Sequence, residues 1–144
     1  MSGLAAVLAG RHEPGVFRWH AAFPPDQVAH TVEHAGWRFA LLDAWPTDTK
    51  EEFLERISAA LDFPDDGGNL DALTKALADL QVGDHGMVLL WEGWGPFAHK
   101  DEKGFAKTLG VLTDRAGDQG RGKFVALLRG DGPGPDEVDI PSLD

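Results

Sequence analysis

The amino-acid sequence predicts a three-layer α/β fold: a small, mostly parallel sheet of three or four strands flanked by helices. Two observations predict it. The runs Phe39-Ala40-Leu41-Leu42, Val88-Leu89-Leu90-Trp91 and Phe124-Val125-Ala126-Leu127-Leu128 are nearly continuous rather than alternating, as strands buried on both faces of a parallel sheet are. Helical patterns separate them, and strand–helix–strand alternation implies parallel strands joined by crossovers.

In chain order, Leu4-Ala5-Ala6-Val7-Leu8-Ala9 is apolar, has no preceding basic residue and is shorter than most signal cores. It is read as a short helix or an ordered arm of a cytoplasmic protein. Strands are expected at 16–20, 38–43, 87–92 and 124–129. Pro24-Pro25-Asp26 opens a helix that runs to about Ala35 and stops at Gly36. Thr49-x-x-Glu52 has the form of a capping box, followed by an apolar stripe of Phe53, Leu54, Ile57, Ala60 and Leu61. Asn69 is placed to cap the next helix. There Leu70, Leu73, Leu77 and Leu80 recur at helical spacing and face inward, leaving Asp71, Thr74, Lys75 and Ala78 on or near the other side. Gly93-Trp94-Gly95-Pro96 reads as a turn, with Trp91 in the core and Trp94 half-exposed. A last helix spans about 104–116, with Phe105, Leu109, Leu112 and Ala116 on one side. Asp131-Gly132-Pro133-Gly134-Pro135-Asp136-Glu137 has linker composition. Residues 1–130 are therefore expected to form one domain and 131–144 a C-terminal tail.

Composition narrows the function. The 144 residues hold 24 acidic and 13 basic side chains, for a formal charge of −11. So acidic a domain repels phosphate backbones, which argues against nucleic-acid binding and favours a basic partner. There are no cysteines, which excludes a disulfide scaffold and thiol catalysis and fits a reducing compartment. No apolar run approaches the ~20 residues of a membrane span. No Walker A string and no Gly-x-Gly-x-x-Gly occur. His30 and His34 stand four apart without a third ligand, and zinc needs three or four. A calcium loop starting at Asp62 fails at Pro64 and Leu73. The serines are Ser2, Ser58 and Ser142, a poor set for a nucleophile. No catalytic residue, metal or cofactor is expected.

The most specific string is Phe63-Pro64-Asp65-Asp66-Gly67-Gly68-Asn69-Leu70-Asp71-Ala72-Leu73. An acidic turn runs into a helix, and Val88-Leu89-Leu90-Trp91 follows at the right distance. Together these resemble the barstar family of ribonuclease inhibitors over residues 38–129, with 1–37 as an N-terminal extension. The resemblance implies a barstar-like fold and a non-catalytic inhibitor, antitoxin or immunity protein. It would occlude the basic active site of a ribonuclease or other toxin protein without nucleic acid, membrane or metal. By the same resemblance, the partner-binding residues are Asp65, Asp66, Gly67, Asp71, Thr74, Lys75, Asp114 and Asp118. Asp71 matches the family's first helix aspartate, and Asp114 matches the acid on the later helix. Lys75 stands where a second aspartate is implied. Thr74 and Asp65 stand where aromatic residues are implied, and the chain has no tyrosine. Two alternatives come from other classes. One is a small ligand-binding or enzymatic domain using the strand ends near Trp45, Trp94 and His99. The other is an interaction module with a non-toxin partner.

Overall fold

The computed structural model describes residues 2–45, 47–63, 69–134 and 136–143. Its elements are α1 (Ser2–Leu8), β1 (Val16–Trp19), α2 (Pro25–His34), β2 (Arg38–Asp43), α3 (Lys50–Ala60), α4 (Leu70–Ala78), β3 (Met87–Glu92), α5 (Gly95–Lys100), α6 (Glu102–Gly117), β4 (Phe124–Arg129) and β5 (Ser142–Leu143). The strands form one sheet in the order β2-β3-β4-β1-β5, and every pair is parallel.

Side chains of a strand alternate between the two faces of its sheet, and here both faces are buried. Leu89, Trp91, Ala126 and Leu128 face a layer built from α3, α4, α5 and α6, with Phe53, Ile57, Leu73, Leu77, Phe97 and Leu112 among its core residues. Val88, Leu90, Val125 and Leu127 face a smaller layer in which α1 contributes Leu4 and Val7, and α2 contributes Val28 and Val32. Burial on both faces is why β3 and β4 read as unbroken apolar runs.

The helix starts follow their sequence signals. Thr49 Oγ1 accepts from the Glu52 amide at 3.2 Å, and its hydroxyl lies 3.3 Å from the Glu52 carboxylate. Asn69 Oδ1 accepts from the Ala72 amide at 2.8 Å. Asn69→Ala is expected to remove about 1 kcal/mol of stability, read from the urea midpoint. An unchanged midpoint would mean that water caps the helix as well as Asn69 does.

Four expectations need adjustment. The sheet is parallel and flanked by helices as expected, but has five strands rather than three or four. The fifth comes from the stretch read as a tail: Ser142 and Leu143 pair with Arg18 and Trp19 of β1, and Ile140 and Leu143 are buried. A two-residue strand is too short to show a period, and the Gly/Pro-rich stretch before it masks its approach. The supposed turn after β3 is α5, which tolerates Pro96 because its first turn has no hydrogen bond for proline to break. Trp94 is 1% exposed rather than half-exposed. It stacks on Phe105 with 5.5 Å between centroids.

Candidate functional site

The expected partner-binding residues of α4 and α6 meet because these two helices pack together. Thr74, Leu77 and Ala78 of α4 face Val111, Asp114 and Asp118 across a groove of about 150 Å³. Asp71 lies one turn before Thr74, hence on the same side of α4. Asp71, Thr74, Asp114 and Asp118 are all exposed. The Thr74 hydroxyl donates to Leu70 O at 2.9 Å, so it is engaged within its own helix. Asp118 pairs with Arg121 at 3.0 Å, both about half exposed, a contact that solvent screens heavily.

Lys75, four positions after Asp71, borders the same side of α4 but does not line this groove. It lines a separate cavity of about 500 Å³ with Arg38, Asp62, Phe63 and Asp79. Among the ion pairs of the described residues none joins Asp71 to Lys75, four positions apart on α4. The Asp71 carboxylate therefore keeps its field toward solvent. Asp65, Asp66 and Gly67 lie outside the described residues. Just ahead of them, Asp62 has φ +56°, a left-handed conformation that Asp tolerates better than most residues.

What sets the two helices against each other is Arg115, a residue the sequence reading passed over. It is 5% exposed. Its Nε donates to Leu77 O of α4 at 2.8 Å. Its Nη1 donates to Gly122 O and Nη2 to Arg121 O, each at 3.0 Å. The guanidinium also lies over the Phe124 ring, 5.7 Å from its centroid. Arg121 Nη1 adds a bond to Ala78 O at 3.1 Å. Two arginines thus donate to carbonyls at the C-terminal end of α4, where Leu77 O otherwise has only a 3.3 Å bond from the Leu80 amide. Burial lowers the Arg115 pKa, the Asp118 carboxylate counters this, and Arg121 adds to the lowering. Spacing carried one signal: Arg115 follows Leu112 by three residues, on the buried arc of α6.

The strand ends named in the alternative reading form a second concavity. A crevice of about 610 Å³ lies at the carboxyl ends of the sheet, lined by Arg18, His20, Phe23, Trp45, Arg129 and Gly130 among others. Trp45 is 50% exposed. Trp94 and His99, the other two residues expected there, do not line it. Arg129 is largely engaged: its Nε meets Glu92 at 2.5 Å, and its Nη1 donates to Ala21 O and Phe23 O. His30 and His34 stack on the exposed side of α2, 6.1 Å between centroids. No group of three or more metal-ligating side chains occurs among the described residues. Nor, among them, is any helix long and apolar enough to cross a membrane.

The family model of Barstar, the barnase inhibitor, matches residues 37–128, nearly the stretch over which the motif resemblance runs. No curated protein matches the chain in sequence. Among solved structures, the fold is similar to that of the Aeropyrum pernix ORC2 protein (ADPNP-ADP complexes), with TM-score 0.63 and 16% identity. The likeness covers 91% of this chain but only 39% of that one. At that identity it speaks for the shared α/β frame alone.

Proposed function

Because the chain belongs to the barstar (barnase inhibitor) family, we propose that it is a non-catalytic inhibitor that seats the acidic side of α4 and α6 in the basic cleft of a ribonuclease or similar toxin protein. The observation that carries this reading is the groove in which Thr74, Asp114 and Asp118 meet, with Asp71 one turn before Thr74 on the same side. A ribonuclease cleft is basic because it must hold phosphate. Carboxylates fixed on two rigid helices offer such a cleft the charge it is built for, and the formal charge of −11 steers the approach. Asp65, Asp66 and Gly67 belong to the partner-binding set in this reading. A cytoplasmic location, in keeping with a chain without cysteine, belongs to it as well.

Lys75 shapes the choice of partner. A cleft with an arginine cluster opposite this position would meet an ammonium and be repelled. The partner is therefore a nuclease or toxin whose surface opposite Lys75 is neutral or acidic, and barnase itself should bind weakly. Lys75→Asp is then expected to strengthen binding to barnase.

The test is co-purification from the native cell at low salt, with a ribonuclease assay on what elutes at high salt. A basic nuclease, silenced when the protein is added back, is the expected result. Its association rate should fall several-fold between about 0.05 and 0.5 M salt. Asp71→Ala should weaken the complex about tenfold or more, ~1.4 kcal/mol. A rate indifferent to salt, or an Asp71→Ala variant that binds as well as the parent, would sink the proposal. A partner that is not basic would instead identify an interaction module whose surface has been repurposed around Lys75.

A further inference from the structure

We propose a second binding site, independent of the inhibitor reading. The crevice at the carboxyl ends of the strands takes a small anion with a planar ring, its phosphate or carboxylate on Arg18 and its ring on Trp45.

Topology opens this crevice. β1 and β4 are neighbours in the sheet. From β1 the chain crosses through α2 to β2 at the far edge, whereas from β4 it runs the other way, to β5 beyond β1. The outgoing segments leave for opposite faces of the sheet, α2 packing on one layer and Val138 and Ile140 on the other, which leaves a gap above the strand ends where open α/β sheets bind ligands. The segments after β1 and after β4 both line it, and its volume of about 610 Å³ suits a small molecule.

Arg18 supplies the charge. It is 7% exposed and lines the crevice. Among the described residues no carboxylate pairs with it. One guanidinium nitrogen, Nη2, donates to Val138 O at 2.9 Å, and the group lies 4.9 Å from the centroid of the Trp94 ring. Its Nε is buried without a partner. The other inward arginines differ: Arg115 is spent on carbonyls, and Arg129 on Glu92 and two carbonyls. A buried cation lacking an opposite charge is costly, and an anion in the crevice offsets that cost.

Trp45 supplies the platform. Its indole lies across the ends of β3 and β4, directly on the backbone of Gly93 and Gly130. A Cβ at either glycine would fall 2.6 or 2.7 Å from the indole, and both have positive φ, +77° and +114°. Only glycine allows so close a seat. The ring is pinned from below yet half exposed, which is the arrangement that stacking on a flat ligand needs.

The experiment is calorimetric titration of the full chain with phenyl phosphate and with benzoate, with inorganic phosphate and phenol as the two halves of the ligand. Saturable binding of phenyl phosphate or benzoate is expected, about tenfold or more tighter than either half. The tighter of the two assigns the anion as phosphate or carboxylate. Trp45→Ala, a surface change checked for folding by circular dichroism, should bring phenyl phosphate down to the level of inorganic phosphate. Arg18→Gln should leave only phenol-like binding. The absence of saturable heat with both ringed anions would overturn the site. So would binding that survives Trp45→Ala unchanged, even if Arg18→Gln fails to fold. Neither outcome touches the inhibitor proposal, which rests on α4 and α6.

Discussion

Arg115→Met is expected to lower the free energy of unfolding by about 3 kcal/mol. Methionine keeps the length of the side chain and most of its packing but none of its donors. The carbonyls of Leu77, Arg121 and Gly122 then lose the guanidinium, and Leu77 O keeps only a 3.3 Å bond from the Leu80 amide. An acceptor that loses its donor away from water costs about 1–3 kcal/mol, and relief from burying the guanidinium returns part of the sum. The urea midpoint should fall with an unchanged slope. A loss below about 1 kcal/mol would mean that water replaces the guanidinium and that Arg115 is no hub. The same variant carries a functional consequence. Arg115 bonds α4 to the segment that follows α6, so its loss should also weaken partner binding, although burial keeps it from touching a partner.

Phe105→Ala is expected to cost about 3–5 kcal/mol, the range for emptying an aromatic core position. Phe105 is buried, with Trp94 stacked at 5.5 Å and Trp91 and Phe97 each 5.8 Å away. Phe53 extends the cluster by contacts to Trp91 and Phe97. No neighbour can collapse into the gap without leaving its own stack. Phe105→Leu should cost less than half as much, since it retains most of the volume. Near-ultraviolet circular dichroism should record the disturbance of Trp91 and Trp94 alongside the midpoint shift. Equal costs for Ala and Leu would show that the ring geometry, rather than the filled volume, matters.

Legibility differed between elements for physical reasons. β3 and β4 could be read because burial on both faces leaves an unbroken apolar run, whereas β2, at the sheet edge, keeps Leu41 40% exposed and is legible from its apolar composition alone. The starts of α3 and α4 could be read because capping is decided within four residues. The family could be read from the Asn-Leu-Asp-Ala-Leu string. α5 could not, because Gly-Trp-Gly-Pro satisfies a turn as well as it does a first helical turn. The burial of Trp94 could not, because it depends on Phe105 and on Gly132, which comes 38 positions later and leaves room for the ring. Within the candidate site, the acids on α4 and α6 were visible as residues. Their meeting at one groove, and the turning of Lys75 toward another cavity, were not.

The sequence by itself determined the α/β class, the main strands, the helix starts, the acidic charge and the barstar-like motif. Each of these is written in a window of a few residues or in a sum over all of them. Only the tertiary structure decided the fifth strand, the role of Arg115 and the crevice at Arg18. Arg115 reaches across 38 residues to Leu77, and Arg18 across 120 to Val138. Contacts that distant along the chain leave no period or spacing in the sequence, because they exist only once the layers have packed.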